Sequence, residues 1–310
     1  MHLIRFRSDD STAVGVLDGG GLRRLAVDSM AALLRLPLDA IRELVERPGE
    51  PVTGGWAALP PIDGRTEVWA SGVTYLRSRD ARIEETTQRT VYELVYDAPR
   101  PELFGKAPAW RVVTDTEPIA IRPDSELDVP EPELAVLANA EAAVVGYLVC
   151  NDVSSRSIEG TKPLYLPQAK CYAGSTALSA LVRPAWEVDA GRLGITLSIT
   201  RDGVEVFTGT TGTDRMHRTP AELLGYLYRC ENHPDGAVLS TGTGVVPGVE
   251  FSLRAGDLVT IAIDEVATLV NPVVVGKEEL AFLTDPIRPG VDRAKLGFPP
   301  SSPSAAEAGS

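Results

Sequence analysis

The stretch V-P-E-P-E-L-A-V, residues 129–136, sets two glutamates either side of a proline at the head of an apolar run. Side chains at i and i+2 of an extended chain share a face. Glu131 and Glu133 therefore aim together, and Pro132 keeps the segment extended at an edge or bulge. Two adjacent carboxylates repel, and one stays protonated unless a cation lies between them. Downstream, A-A-V-V-G-Y-L-V-C reads as a buried strand that ends in Asn151-Asp152. That puts a third carboxylate at a strand end, where sites are commonly built. Three carboxylates without a neighbouring histidine or cysteine form a hard oxygen donor set, which suits Mg²⁺, Mn²⁺ or Ca²⁺ rather than zinc or copper. The same residues also fit a solvated loop with Asp152 in a turn, and spacing alone leaves both readings open.

The next segment, N-D-V-S-S-R-S-I-E-G-T-K-P-L-Y-L-P-Q-A-K, is a polar loop punctuated by Gly and Pro, of the kind that carries chemistry. Lys170 at its end could pair with the surplus carboxylate charge. Thr241, Gly242, Thr243 and Gly244 form a tight loop whose backbone could approach a ligand. Asp214, Met216 and His217 read as a strand-end contact or a solvated cap, with a substrate-facing role as the alternative.

These residues need strands to position them. L-I-R-F-R and A-V-G-V-L-D-G-G-G-L-R-R-L alternate around a glycine turn as a hairpin does. D-S-M-A-A-L-L-R-L and L-D-A-I-R-E-L-V-E read as helices, with Asp28 and Asp39 near their starts. Residues 1–65 are thus expected to form a small N-terminal α/β domain, and the Pro- and Gly-rich R-P-G-E-P-V-T-G-G-W-A-A-L-P-P its linker. Residues 66–290 read mainly as short strands and turns. L-G-I-T-L-S-I-T-R-D-G-V-E-V-F-T-G predicts a hairpin turning at Asp202-Gly203. In T-P-A-E-L-L-G-Y-L, Thr219, Pro220 and Glu222 predict a capped helix start. G-D-L-V-T-I-A-I-D-E-V-A-T-L-V-N-P-V predicts two late strands. Residues 291–310 are small, polar and Pro-rich, so a disordered tail is expected.

Of 310 residues, 44% are hydrophobic and 24% charged, which is ordinary globular composition. A formal charge of -13, from 43 acids and 30 bases, argues against a nucleic-acid binder, which needs basic surface to neutralise phosphates. No run of about 18 apolar residues predicts a membrane span, and the first residues do not form a secretory signal. Cys150, Cys171 and Cys230 are scattered, so they are expected as reduced thiols in a cytoplasmic protein.

Taken together, E-P-E-L-A-V, N-D-V-S-S-R, P-L-Y-L-P-Q-A-K and L-S-T-G-T-G-V-V-P-G resemble, in order, the motifs of the fumarylacetoacetate hydrolase superfamily. The resemblance spans roughly residues 67–275. It implies an α+β protein whose C-terminal domain is a mixed β-roll beside a smaller N-terminal domain, often assembled as a homodimer or higher homo-oligomer. It implies Glu131, Glu133 and Asp152 as ligands of a divalent metal, usually Mg²⁺, and Lys170 as the lysine near that metal. Lys106 in F-G-K-A matches a position that lines the site. Hydrolases of this superfamily carry a histidine after a G-x-x-Y motif. Here Gly72 and Tyr75 match, but Ser78 stands in the histidine's place, and His2, His217 and His233 lie elsewhere.

One branch of the superfamily, the 2-keto-3-deoxy-D-arabinonate dehydratases, resembles this chain in that absence and in Y-D-A-P-R-P-E-L-F and K-P-L-Y-L-P-Q-A-K. The expected activity is loss of water from a 2-keto-3-deoxy sugar acid, giving 2-oxoglutarate semialdehyde for an arabinonate-derived substrate. The alternative is hydrolysis or decarboxylation of a β-diketone or acylpyruvate. Lys170, Glu159, Glu84 and Glu85 are candidates to move protons. Lys106, Arg79, Arg100, Arg156, Tyr165, Thr243 and Gly244 are candidates to bind the anionic keto acid.

Overall fold

A computed structural model describes residues 1–8, 11–47, 49–77, 94–285, 288 and 291–292. The strands of the first third are β1 (His2–Ser8), β2 (Ser11–Asp18), β3 (Gly21–Arg24), β4 (Glu50–Pro51), β5 (Ala57–Ala58), β6 (Glu67–Gly72) and β7 (Glu102–Pro108). The middle adds β8 (Ile119–Ile121), β9 (Asp128–Val129), β10 (Pro132–Ala138), β11 (Val144–Asp152), β12 (Ser154–Ser155), β13 (Thr176–Leu178) and β14 (Leu181–Pro184). The rest are β15 (Gly194–Arg201), β16 (Val204–Gly212), β17 (Ala237–Thr243), β18 (Leu258–Ile263), β19 (Ala267–Val275) and β20 (Val291–Asp292).

Thirteen strands join in one sheet, ordered β4-β3-β2-β1-β14-β11-β10-β17-β6-β7, with β13 on β11, β5 on β1 and β20 on β5. A second sheet runs β16-β15-β18-β19-β8. Pairing is antiparallel except for β17 with β6 and β19 with β8, so the fold is the mixed, mainly antiparallel kind that was expected. The N-terminal strands enter the large sheet through β1 against β14, where Leu3 faces Val182. The stretch expected as a linker supplies β4 and β5 to that same sheet.

Local signals explain the elements. Asp202 and Gly203 both take positive φ, 53° and 78°, as the tight β15–β16 hairpin requires. Thr219 caps the helix Pro220–Leu227 by accepting the Glu222 N–H at 3.2 Å. The cap of the helix Met30–Leu34 falls on Ser29, one residue after Asp28, while Asp39 lies in the first turn of the helix Leu38–Glu46.

The large sheet is covered on both faces. Ile195, Leu197, Ile199, Ile261 and Leu269 of the smaller sheet pack with Leu134, Val149 and Leu181 on one side. Met30, Leu33, Ile41 and Val45 from the two N-terminal helices cover Ala135, Leu137 and Leu148 on the other. Burial on both faces is why β10 reads as a continuous apolar run rather than an alternating one. Among the described residues, no helix is long and apolar enough to cross a membrane.

Candidate metal and substrate site

The site forms where β10 and β11 leave the shelter of the helices. Glu133 stands opposite Cys150, and the Asp152 N–H donates to the Glu131 carbonyl at 3.0 Å. Directly opposed residues of an antiparallel pair share a face. Glu131, Glu133 and Asp152 therefore converge, each offering an oxygen within 4.8 Å of the others, and each is at most 2% exposed. Pro132, with no N–H to give, opens β10, and Glu131 precedes it with its N–H held by Asn151 Oδ1 at 3.2 Å.

Buried charge must be matched. Arg156 gives Nε and Nη2 to Glu131 Oε1 at 3.1 and 2.7 Å. Lys170 Nζ bridges Glu131 Oε2 at 2.7 Å and Asp152 Oδ2 at 2.9 Å. Lys106 Nζ lies 2.7 Å from Asp152 Oδ1, donates to Val153 O at 3.1 Å and also donates to Lys170 O. An ammonium carries three protons, and two of them go to these backbone carbonyls, while Asp152 Oδ1 has the ion pair but, among the described residues, no hydrogen bond. Burial lowers the Lys106 pKa, with Asp152 opposing the shift.

Glu133 differs from its neighbours. Its Oε2 accepts from Ser240 Oγ at 2.6 Å and from the Gly242 N–H at 2.8 Å, both neutral donors. Burial, with Asp152 and Glu131 adding to it, pushes its carboxyl up to about 8. Near neutrality a proton therefore competes for the position that a cation would take. Three close oxygen donors, one left short of positive charge, fit a divalent hard cation such as Mg²⁺.

The remaining candidates spread out. Glu159, 4% exposed, has Oε2 3.9 Å from Arg156 Nε. The Thr243 hydroxyl is engaged with Val245, donating to its carbonyl at 3.0 Å and accepting its N–H at 3.2 Å. At Gly244 a Cβ would come within 2.7 Å of Tyr75 Cδ1, so the bare backbone lets the Tyr75 ring lie against it. Tyr75 is itself 2% exposed; burial, with the Glu133 charge reinforcing it, raises its phenol well above the ordinary value. Tyr165 sits on the turn before the helix Leu166–Lys170 and is partly exposed. Arg100 lies over the Tyr226 ring, 5.7 Å from its centroid. Ser78, Arg79, Glu84 and Glu85 lie outside the described residues.

Sequence reasoning missed Ser240, and it offered the Gly242 backbone to a ligand rather than to Glu133. The available signal was a glycine inside a strand run, S-T-G-T, which marks a bulge or a close backbone approach.

Comparison with known proteins extends this picture. Residues 82–274 match the fumarylacetoacetate (FAA) hydrolase C-terminal family. The 2-dehydro-3-deoxy-D-arabinonate dehydratase of Saccharolobus solfataricus is 40% identical over 276 residues, covering 83% of this chain and 91% of that protein. A Haloferax volcanii protein named probable 2-keto-3-deoxyxylonate dehydratase is 42% identical over 254 residues, covering 81% of this chain and 84% of that protein. Among solved structures, 2-keto-3-deoxy-D-arabinonate dehydratase complexed with magnesium and 2,5-dioxopentanoate superposes with a TM-score of 0.78 at 36% identity, covering 89% of this chain and 99% of that chain.

Proposed function

This chain belongs to the fumarylacetoacetate hydrolase family, and on that premise we propose that it is a magnesium-dependent hydro-lyase of a 2-keto-3-deoxy sugar acid. An arabinonate-type substrate would give 2-oxoglutarate semialdehyde. The observation that carries the reading is the buried trio Glu131, Glu133 and Asp152, in a chain about 40% identical to dehydratases of such acids.

The trio would hold Mg²⁺, with Mn²⁺ or Ca²⁺ as substitutes. Bound there, the ion supplies Lewis acidity that loosens the protons beside a keto group. The chain's own residues account for the rest. The Lys170 ammonium, fixed between Glu131 and Asp152, is proposed to offer positive charge to the atoms that turn negative as a C3 proton leaves. Glu159 and Glu84 are the carboxylates proposed to accept that proton, which then leaves with the C4 hydroxyl as water. A C3–H and a C4–O bond break, a C3–C4 double bond forms, and tautomerisation carries the unsaturation to C5 as an aldehyde. Arg79, Tyr165 and the Thr243–Gly244 backbone are proposed to hold the keto acid. Arg156 and Lys106 are proposed to help bind the keto acid and to act also through Glu131 and Asp152, beside which they lie. The enzyme is proposed to work in the cytoplasm as a homodimer or larger homo-oligomer.

The described residues add no support for the hydrolase alternative. His2 hydrogen-bonds Val266 O at 2.9 Å, His217 stacks on Tyr96 with centroids 4.4 Å apart, and His233 packs against Tyr228 and Trp69. The test is turnover of 2-keto-3-deoxypentonates as separate enantiomers, with Mg²⁺ and then with EDTA, read through a coupled semialdehyde dehydrogenase. Turnover that needs metal and disappears in Glu133→Gln is expected. Metal binding without turnover of either enantiomer would overturn the substrate class.

A further inference from the structure

Against the other two carboxylates, Glu133 has the unusual partners. Glu131 and Asp152 are held by cationic side chains, whereas the hydrogen-bond donors on Glu133 are a hydroxyl and a backbone amide. The amide reaches it only because β17 bulges. Ala135 of β10 stands opposite Ser240, but Glu133 stands opposite Thr243, so Thr241 and Gly242 together face Leu134. The bulge is pinned from both sides, by Thr241 Oγ1 donating to Leu134 O at 2.7 Å and Thr74 Oγ1 donating to Thr241 O at 2.6 Å. Gly242 takes φ +92°, and a Cβ there would lie 1.9 Å from Thr74 Oγ1, so the position excludes a side chain twice over. Ser240, 0% exposed, precedes the bulge and adds the second hydrogen bond to the same oxygen.

We infer that Ser240 is a positioning residue: with the Gly242 N–H it fixes Glu133 Oε2, so that the other carboxylate oxygen faces the acidic cluster as a ligand. Two donors on one oxygen hold the carboxyl plane and favour its ionised form. Being neutral, they do so without adding the positive charge that would repel a divalent cation. Outer partners of this kind orient metal ligands, and their loss commonly weakens metal affinity about 10–100-fold. The inference rests on the metal-holding reading above and names a residue that acts through Glu133 rather than on substrate.

The experiment compares wild type, Ser240→Ala and Ser240→Cys, thiols kept reduced, by calorimetric Mg²⁺ titration of the full chain and by thermal melting in EDTA. Cysteine fills nearly the same volume as serine but is a poor donor. If the hydrogen bond matters, both variants bind Mg²⁺ about tenfold more weakly, melt in EDTA within a few degrees of wild type, and regain most of their kcat at saturating Mg²⁺. An affinity within twofold of wild type in Ser240→Ala overturns the inference. So does weakened binding in alanine with wild-type binding in cysteine, because volume alone would then explain the effect. Wild-type protein that binds no Mg²⁺ overturns the underlying reading, and the positioning role with it.

Discussion

The side chains of Asp152 and Asp235 are both 2% exposed, and each is held by two cationic side chains, yet the surroundings differ. Around Asp235, Arg35 Nη2 at 2.8 Å and Arg65 Nη2 at 3.0 Å keep 55% and 68% of their side chains in water. Those guanidiniums stay hydrated, and hydrogen bonds led by Arg65 hold the Asp235 carboxyl well below the usual carboxylate range. Asp235 also accepts the Arg65 N–H at 2.9 Å, so the corner ties the start of β17 to the segment before β6. Around Asp152 the cations are Lys106 and Lys170, 0% and 1% exposed, and two further carboxylates share the space. Desolvated ammoniums persist only where negative charge surrounds them. A buried aspartate between two cations is therefore no sign of a site. Desolvated partners and surplus carboxylates mark one.

The contrast can be broken by substitution, and the largest effect falls on Asp152→Asn. If Asp152 is a ligand as proposed, its loss should cost more than loss of an outer partner, so Mg²⁺ affinity and turnover should fall by more than about a hundredfold, measured by metal titration and coupled assay. pH sharpens the contrast next. The Glu133 carboxyl is raised from 4.5 to about 8, and a ligand must be deprotonated to bind. Mg²⁺ affinity should therefore climb up to tenfold per pH unit until about pH 8. In EDTA the sign reverses for stability. The raised pKa favours the fold below about 4.5, a contribution lost as pH rises through about 8 and restored by Mg²⁺, which melting curves with and without metal will show. Asp235→Asn comes third. It should leave kcat of the folded enzyme near wild type while lowering Tm by roughly 3–8 °C, as expected for a lost charge-assisted hydrogen bond of a few kcal/mol. Arg65→Gln should have the smallest effect, leaving the midpoint of chemical denaturation close to wild type, because its partner keeps Arg35 and its own charge was solvated.

Much of this was legible in the residues because it is local. Period-2 alternation fixed the faces of Glu131 and Glu133, the Asp202-Gly203 turn marked its hairpin, and Thr219 announced its helix. Spacing alone left the carboxylate trio open between a metal site and a solvated loop, and the family's motifs, matched in order, are what singled out Glu131, Glu133 and Asp152. What stayed hidden depends on register between distant strands. Nothing near Ser240 reveals that it faces Ala135, or that the bulge turns the Gly242 N–H onto Glu133. Lys106 is expected to meet substrate, and sequence alone does not show that two of its donors go to Val153 O and Lys170 O with Asp152 Oδ1 2.7 Å away.

The place of β17 has a consequence for biosynthesis. It lies between β10 and β6, pairing Ala237 with Glu67 in parallel and Ser240 with Ala135. A chain leaving the ribosome presents Glu131, Glu133 and Asp152 well before the strand that orders Glu133 has been made. Until Thr243 has emerged, the centre of the large sheet is open, its β10 and β6 edges are unpaired, and the acidic cluster is unfinished. Pairings this far apart in sequence form slowly and leave sticky edges exposed meanwhile. Nascent chains stopped before β17 should therefore need chaperones and hold no metal, so that the protein appears during translation as one late event rather than domain by domain.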